Sequence, residues 1–345
     1  MNKIKVFLGG YINYTNAQNL NCRAVAEYLD KDKFEVLALT THFGKKEHFE
    51  INTFNCFRPL ILSKNLGFLW GILSCDAAYL PKHIDTPLWV LKLSKLFKKP
   101  IFTTIEGNVT DLNKPNLIDL FGSEYRMKNH FSYFKQVFGI TDFLVQGTKS
   151  KLLMQDTTLY LGVNGKKFSR ELPQELKSIF FVGGLIKRKR VDEFLDLAKN
   201  YPEIIFNIIG NGPEKQKLER EASYNVVFHG ELTHIEMDSV FQKFDLMFLP
   251  AKSEGFPKVI LEAASAGIPS IVYNTYGASD WIDNKKNGFV VSTFKQVEEL
   301  VNELLENPTL LQEVSKNTKE LAHRFDWKNI INDWEKIIVD LYNGE

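Results

Sequence analysis

Two glutamates, Glu254 and Glu262, are separated by seven residues in the segment LPAKSEGFPKVILEAASAGIPSI, residues 249–271. A short apolar run ends at Leu249, a loop carries Glu254, Gly255 and Phe256, and Pro257 stands where a helical pattern begins. Proline suits the first helical position because the amide there has no partner anyway. Gly255 lets loop amides point outward, and with the positive end of the helix they favour an anion such as a diphosphate. Glu262 falls about 7–8 Å further along the helix axis. One carboxylate could then accept hydrogen bonds from the hydroxyls of a sugar and the other from a ribose diol, both charge-assisted. By residue type alone, Glu254 could equally cap the helix and Glu262 lie on a solvated face. Paired carboxylates also serve glycoside hydrolysis, where an acid and a nucleophile or base straddle one bond. A pair flanking an anion-binding helix terminus fits recognition of a nucleotide sugar better.

Cations for a developing pyrophosphate charge lie in the run KRKR, residues 187–190, just past Gly183-Gly184. Lys189 is the candidate, with Arg188 beside it; a solvated basic helix start is the plainer alternative. Gly210 ends another apolar run, and Gly230-Glu231-Leu232 ends a third. Gly9-Gly10 follows the first apolar run, as a tight turn beside a bound acceptor or phosphate would require. Glu106 closes PIFTTIEG, residues 100–107, where it could read a hydroxyl of acceptor or donor or simply cap a loop. There is no Gly-x-Gly-x-x-Gly and no Walker loop. Asp30-Lys31-Asp32 has the form of a metal–diphosphate motif but sits in a charged turn, and the seven histidines show no ligand spacing. The sequence predicts no metal and no cofactor beyond the donor itself.

These residues need a frame. In the second half, short β-branched runs (179–182, 204–209, 226–228, 246–249, 270–273, 289–291) alternate with helical patterns from 191, 213, 235 and 257. That alternation predicts a parallel sheet covered by helices on both faces. The first half reads similarly, with strands at 4–8, 35–40, 77–80, 101–104 and 143–146 and helices at 24–29 and 89–97. Two doubly wound α/β domains are expected to face each other across a cleft, with ligands outside the strands' carboxyl ends. The tail is helical from 297, and Trp327, Ile330, Ile331, Trp334, Ile338 and Leu341 share one stripe.

Bulk properties agree. A length of 345 residues predicts two domains. Net charge is +1, which excludes a strongly basic nucleic-acid binder. Residues 1–165 carry 20 Lys+Arg against 14 Asp+Glu, giving +6, and residues 166–345 carry 23 against 28, giving −5. Cys22, Cys56 and Cys75 are an odd, widely spaced set, which points to a reducing, cytoplasmic compartment. The N-terminus lacks a secretory pattern, and the longest apolar stretch, LGFLWGILSC at 66–75, is about half the length of a membrane span. The segment WVLKLSKLFKK, from Trp89 to Lys99, mixes lysines with Leu91, Leu93, Leu96 and Phe97. It reads either as a helix packed on its sheet or as an interfacial helix for the inner, anionic membrane face. Oligomeric state leaves no signature.

The whole run from Glu254 through Ala263, Ala264, Ala266, Gly267 and Pro269 resembles the Glu-x7-Glu signature of the family 4 retaining glycosyltransferases, the "group 1" family. Also in family order are Phe181-Val182-Gly183, Lys189, Ile209-Gly210-Asn211-Gly212-Pro213, Phe228-His229-Gly230, Asp245 with Leu249-Pro250, and Asn287-Gly288-Phe289-Val290. Gly162-Val163-Asn164 with Phe168 resembles its interdomain signature, and Phe325-Asp326-Trp327 the start of its closing helix. The resemblance implies the two-domain GT-B fold: residues 1–163 with 327–345 binding acceptor, and 164–326 binding a nucleotide-diphosphate sugar. It implies that Glu254 contacts the donor sugar, Glu262 the ribose and Lys189 the diphosphate, while amides of Gly255, Phe256 and Pro257's neighbours cradle the donor and Gly230–Leu232 borders the base. The implied reaction is metal-independent transfer, with retention, to a glycan or lipid-linked acceptor in cell-surface polysaccharide or glycolipid synthesis. Two departures stand out. Gly184 occupies the place of a usual arginine, and Glu106 that of a frequent histidine. They leave open a nucleotide-sugar-binding scaffold subunit, or an epimerase of the same fold.

Overall fold

The structure, a computed structural model, describes residues 3–107, 116–165 and 171–344. The chain divides into two compact units, residues 1–162 with 327–345, and residues 163–326.

The first unit holds β1 (Ile4–Tyr11), β2 (Phe34–Thr41), β3 (Asn52–Cys56), β4 (Ala77–Tyr79), β5 (Ile101–Ile105) and β6 (Gln136–Gly139). They form one parallel sheet in the order β3-β2-β1-β4-β5-β6. Its helices are α1 (Ala17–Tyr28), α2 (Leu60–Ser74), α3 (Leu88–Leu96), α4 (Leu117–Phe121), α5 (Glu124–Phe131) and α6 (Asp142–Lys149). The second unit repeats the plan with β7 (Ser178–Val182), β8 (Ile205–Ile209), β9 (Val226–Gly230), β10 (Leu246–Leu249), β11 (Ser270–Tyr273) and β12 (Phe289–Val291), ordered β12-β11-β10-β7-β8-β9. Its helices are α7 (Val191–Asn200), α8 (Lys215–Glu221), α9 (His234–Phe241), α10 (Lys258–Ser265), α11 (Phe294–Glu306) and α12 (Pro308–Arg324); α13 (Trp327–Asn343) belongs to the first unit.

Gly9 and Gly10 do not make the expected tight turn. Both lie inside β1, are buried and lack a left-handed backbone. The pairing register slips between Leu8 and Tyr11, the mark of a bulge. A Cβ at Gly9 would come within 2.6 Å of Leu80, and one at Gly10 within 2.7 Å of the Cys22 sulfur. Close packing of α1 and the end of β4 on the bulged strand leaves no room for a side chain at either glycine.

The strand expected at 143–146 is the middle of α6. Thr141 caps that helix by accepting from the Leu144 amide at 3.2 Å, and the sheet position falls to β6 just upstream. A short buried apolar run has the same appearance in either element, and the cap decides it. The stretch 66–75 belongs to α2, which lies on the sheet through Gly67, Phe68, Gly71 and Ile72. A Cβ at Gly71 would sit 2.4 Å from the Phe7 ring.

In the second unit, the Asp245 carboxylate accepts from the amides of Lys177 and Ser178 and from the Ser178 hydroxyl, tying the entry of β7 to that of β10. Helix α13 buries the six residues of its apolar stripe. Trp334 packs edge-on against Tyr79, with ring centroids 4.8 Å apart, and donates from Nε1 to the Tyr160 carbonyl at 3.1 Å. Trp334→Ala is expected to cost about 3–5 kcal/mol, read as a lower urea midpoint. A loss below about 1 kcal/mol would show that α13 is a dispensable cover.

Candidate functional site

The strand order of the second sheet reverses between β7 and β10, so the loops leaving these neighbours diverge and open a crevice at their carboxyl edge. The β7 loop runs through Gly183 and Gly184 into one 3-10 turn, Lys187–Lys189, and Arg190 then takes a left-handed backbone (φ 51°) ahead of α7. The β10 loop carries Glu254 to α10. Lys189 Nζ lies 2.9 Å from Glu254 Oε1, and Arg188 Nη1 lies 2.7 Å from the same oxygen. Arg188 Nη1 also donates to the Ser253 carbonyl at 2.5 Å. The Lys189 and Glu254 side chains are only 13% and 11% exposed, so the pair is shielded well beyond a surface ion pair.

Arg190 points elsewhere. Its Nη2 meets the Glu193 carboxylate, whose other oxygen accepts from the Tyr273 hydroxyl at 2.9 Å. Of the two arginines flanking Lys189, Arg188 is the one that reaches Glu254. Gly184 itself is exposed, and a Cβ there would meet nothing within 4 Å. Glycine is therefore not a packing requirement at that position. Gly210 is one: with φ +139°, its Cβ would fall 2.0 Å from the Gly183 carbonyl oxygen. Gly210 N donates to the Gly230 carbonyl at 2.7 Å, which gathers the ends of β7, β8 and β9. Glu231 is exposed beyond them and Leu232 half-buried.

Pro257 is the N-cap of α10, one residue ahead of the expected first helical position, with an extended backbone (φ −76°, ψ 92°). Its carbonyl takes the first helical hydrogen bond, from Ile260 N at 3.0 Å, so proline's missing donor costs nothing there either. The Phe256 side chain is buried between Trp281 and Phe325, with ring centroids 5.2 Å from each, and pins the loop that presents Glu254. Glu262 sits half-buried in the second turn of α10. Tyr276 escapes sequence reasoning, since a lone aromatic in a loop after β11 carries no motif. Its hydroxyl is buried with no hydrogen-bond partner among the described residues. Burial, and secondarily the Glu254 charge, hold its pKa well above the usual value.

Glu106 lies in the first unit, just past β5, where it lines a cavity of about 330 Å³ with Gln18, Lys82, His83 and Asp85 over an apolar floor that includes Ile105 and Leu117. Asn21 Nδ2 donates to Glu106 Oε1 at 3.4 Å. His83 Nε2 is 3.1 Å from the Thr104 carbonyl, and burial pulls its pKa down to about 4. Neighbouring His130 is held at about 3 by burial and then by His83. Among the described residues, no group of three or more His, Cys, Asp or Glu could hold a metal. Phe168 of the interdomain signature lies outside the described residues.

The doubly wound pair of parallel sheets defines the GT-B fold. Sucrose-phosphate synthase from Thermosynechococcus elongatus superposes with a TM-score of 0.82 at 15% identity, over 100% of both chains. HepE from Anabaena, solved in complex with UDP and glucose, gives 0.77 at 15% identity, over 98% of this chain and 100% of its own. Residues 164–321 match the family model for glycosyl transferases group 1. An uncharacterized glycosyltransferase of Haemophilus influenzae is 28% identical over 179 residues, which is 48% of this chain; the match spans about half of that relative, 49%.

Two expectations follow from this geometry. A double-mutant cycle of Arg188→Ala and Glu254→Gln, read by denaturant unfolding, should give a coupling of about 1–2 kcal/mol; zero coupling would mean the contact is not held in solution. The folded-state pKa values of His83 and His130 lie below the unfolded value of 6.5. Between pH 6.5 and about 4 the unfolded chain therefore binds more protons, and stability drops as pH falls through this window. His130→Phe should flatten that acid limb, and an unchanged slope would place its origin elsewhere.

Proposed function

We propose that this chain transfers a sugar, with retention of anomeric configuration and without a metal, from a nucleoside-diphosphate donor to a glycan or lipid-linked acceptor. The observation that carries the reading is the meeting of Lys189 and Arg188 on one oxygen of Glu254 at the switch point, beside the start of α10. Two cations and a set of orphan amides supply the positive charge that a departing diphosphate needs, in a shielded place where it acts strongly. Glu254 Oε1 is occupied by the cations, so Oε2 is the oxygen offered to sugar hydroxyls, and Glu262 is assigned the ribose. Arg188 takes the phosphate-facing part that an arginine at position 184 would have played.

In the proposed step the bond from the anomeric carbon to the β-phosphate oxygen breaks. The acceptor oxygen bonds to that carbon on the same face, and its proton passes to the departing phosphate. The acceptor is assigned to the Glu106 cavity, whose polar rim and apolar floor suit a hydroxyl-rich group carrying an apolar portion. The match of residues 164–321 to the glycosyl transferases group 1 model supports donor use by that part of the chain. The uridine nucleotide in HepE makes UDP-sugars the first donors to try. Cell-surface polysaccharide or glycolipid assembly on the cytoplasmic side is the setting this reading implies. Departures at Gly184 and Glu106 support a second reading, a subunit that binds nucleotide sugar without turning it over.

A thermal-shift screen of nucleoside diphosphates and their sugars identifies the donor, because binding only to the folded state raises stability. With that donor, Lys189→Met should lower kcat by about 10²–10³, and Glu106→Gln should raise the acceptor KM. Turnover should survive EDTA. Saturable nucleotide binding with neither transfer nor donor hydrolysis would replace the enzyme by the binding subunit.

A further inference from the structure

The first unit exposes an apolar face that its own packing does not use. Helix α2 meets the sheet through small residues, Ser63, Gly67 and Gly71, together with Phe68 and Ile72. That close seat turns its larger aliphatic side chains outward. Leu62, Leu66 and Leu73, spaced along one stripe, are exposed, and Ile61 beside them is 77% exposed. An amphipathic surface helix normally shows the reverse arrangement. Helix α3 continues the surface. It buries Val90, Leu91 and Ser94 and exposes Leu88, Trp89 and Leu96, with Phe97 exposed at its end. Leu91 faces the core and Leu93 packs partly against it, so neither serves the interfacial face that the sequence suggested for this segment. Trp89 Nε1 donates to Asn65 Oδ1 at 3.1 Å, binding the two outward faces into one.

The charge on this surface has one sign. No Asp or Glu occurs in residues 51–75 or 86–105, whereas Arg58, Lys64, Lys92, Lys95, Lys98 and Lys99 do. Among the described residues, no carboxylate ion-pairs with Lys64, Lys92, Lys95 or Lys98. Exposed leucines and a tryptophan set among unopposed lysines match an anionic lipid surface, where apolar side chains enter the acyl boundary and ammonium groups meet headgroups. A second copy matches poorly, because a two-fold contact would set these cations against themselves. Among the described residues, no helix is long and apolar enough to cross a membrane, so the contact lies in the interface plane.

We propose that the joint outer face of α2 and α3 docks the protein onto a bilayer bearing anionic lipids, with α2 supplying most of the apolar contact and α3 the greater share of the charge. The inference rests on this surface alone and does not depend on sugar transfer. The full chain is floated with vesicles of phosphatidylcholine containing about one third phosphatidylglycerol, and with pure phosphatidylcholine, at about 0.1 M salt. It should float with the anionic vesicles only. Leu66→Glu with Leu96→Glu, and separately Lys92→Glu with Lys95→Glu, should each weaken binding by more than about tenfold. Tyr224→Glu, at an exposed position of the second unit, should change nothing. Unchanged unfolding midpoints and nucleotide binding in the variants establish that they fold. No flotation with the anionic vesicles at that salt, or equal flotation of the parent and both double variants, overturns the proposal. So does a concentration-dependent dimer that Leu66→Glu abolishes, which would give the face to a second copy.

Discussion

A parallel sheet whose strand order reverses must part the loops on either side of the reversal, and in the second unit this geometric necessity governs everything around Glu254. Strands β7 and β10 are neighbours, yet their chains leave in opposite senses, one into the basic turn and one into the acidic loop. Two cations from the first loop then converge on a single carboxylate oxygen from the second. Packing beneath enforces the meeting. Asp245 fixes the entries of both strands, Gly210 lets two turns lie back to back, and Phe256 anchors the acidic loop between Trp281 and Phe325. The chemistry needs only a few side chains, but their positions depend on contacts reaching from one end of the strands to the other.

The arginine pair shows how finely the backbone sorts identical side chains. Arg188 and Arg190 flank Lys189 in sequence, but the left-handed backbone at Arg190 sends the second guanidinium toward Glu193 and Tyr273. A guanidinium is a rigid fork, so its anchor point decides what it can reach. One arginine therefore belongs to the crevice and the other to the footing of α7.

Much of the second unit was legible in the sequence because its strands are short β-branched runs punctuated by glycines and its helices carry clear apolar stripes. Strands β10, β11 and β12 fall at the residues expected. The first unit was harder. Its bulged β1 hides two glycines within a strand, α6 begins with residues that suit a buried strand equally well, and the edge strand β3 has little apolar content to announce it. At the site, Glu254 and Lys189 were legible through motif and setting. The choice between Arg188 and Arg190 was not, since it turns on one backbone torsion. Nor was Tyr276, whose place is set by tertiary packing alone.

The return of α13 has a consequence for biogenesis. Trp334 and its neighbours complete the interior around Tyr79, Phe102 and Tyr160, although residues of the whole second unit intervene in the chain. During synthesis the first unit emerges early but must wait, with part of its interior uncovered, until α13 has been made as well. The second unit, contiguous from 163 to 326, can close before it. The half of the molecule that is made first is thus the half that finishes last, and a chaperone would be needed most while that aromatic pocket stands open.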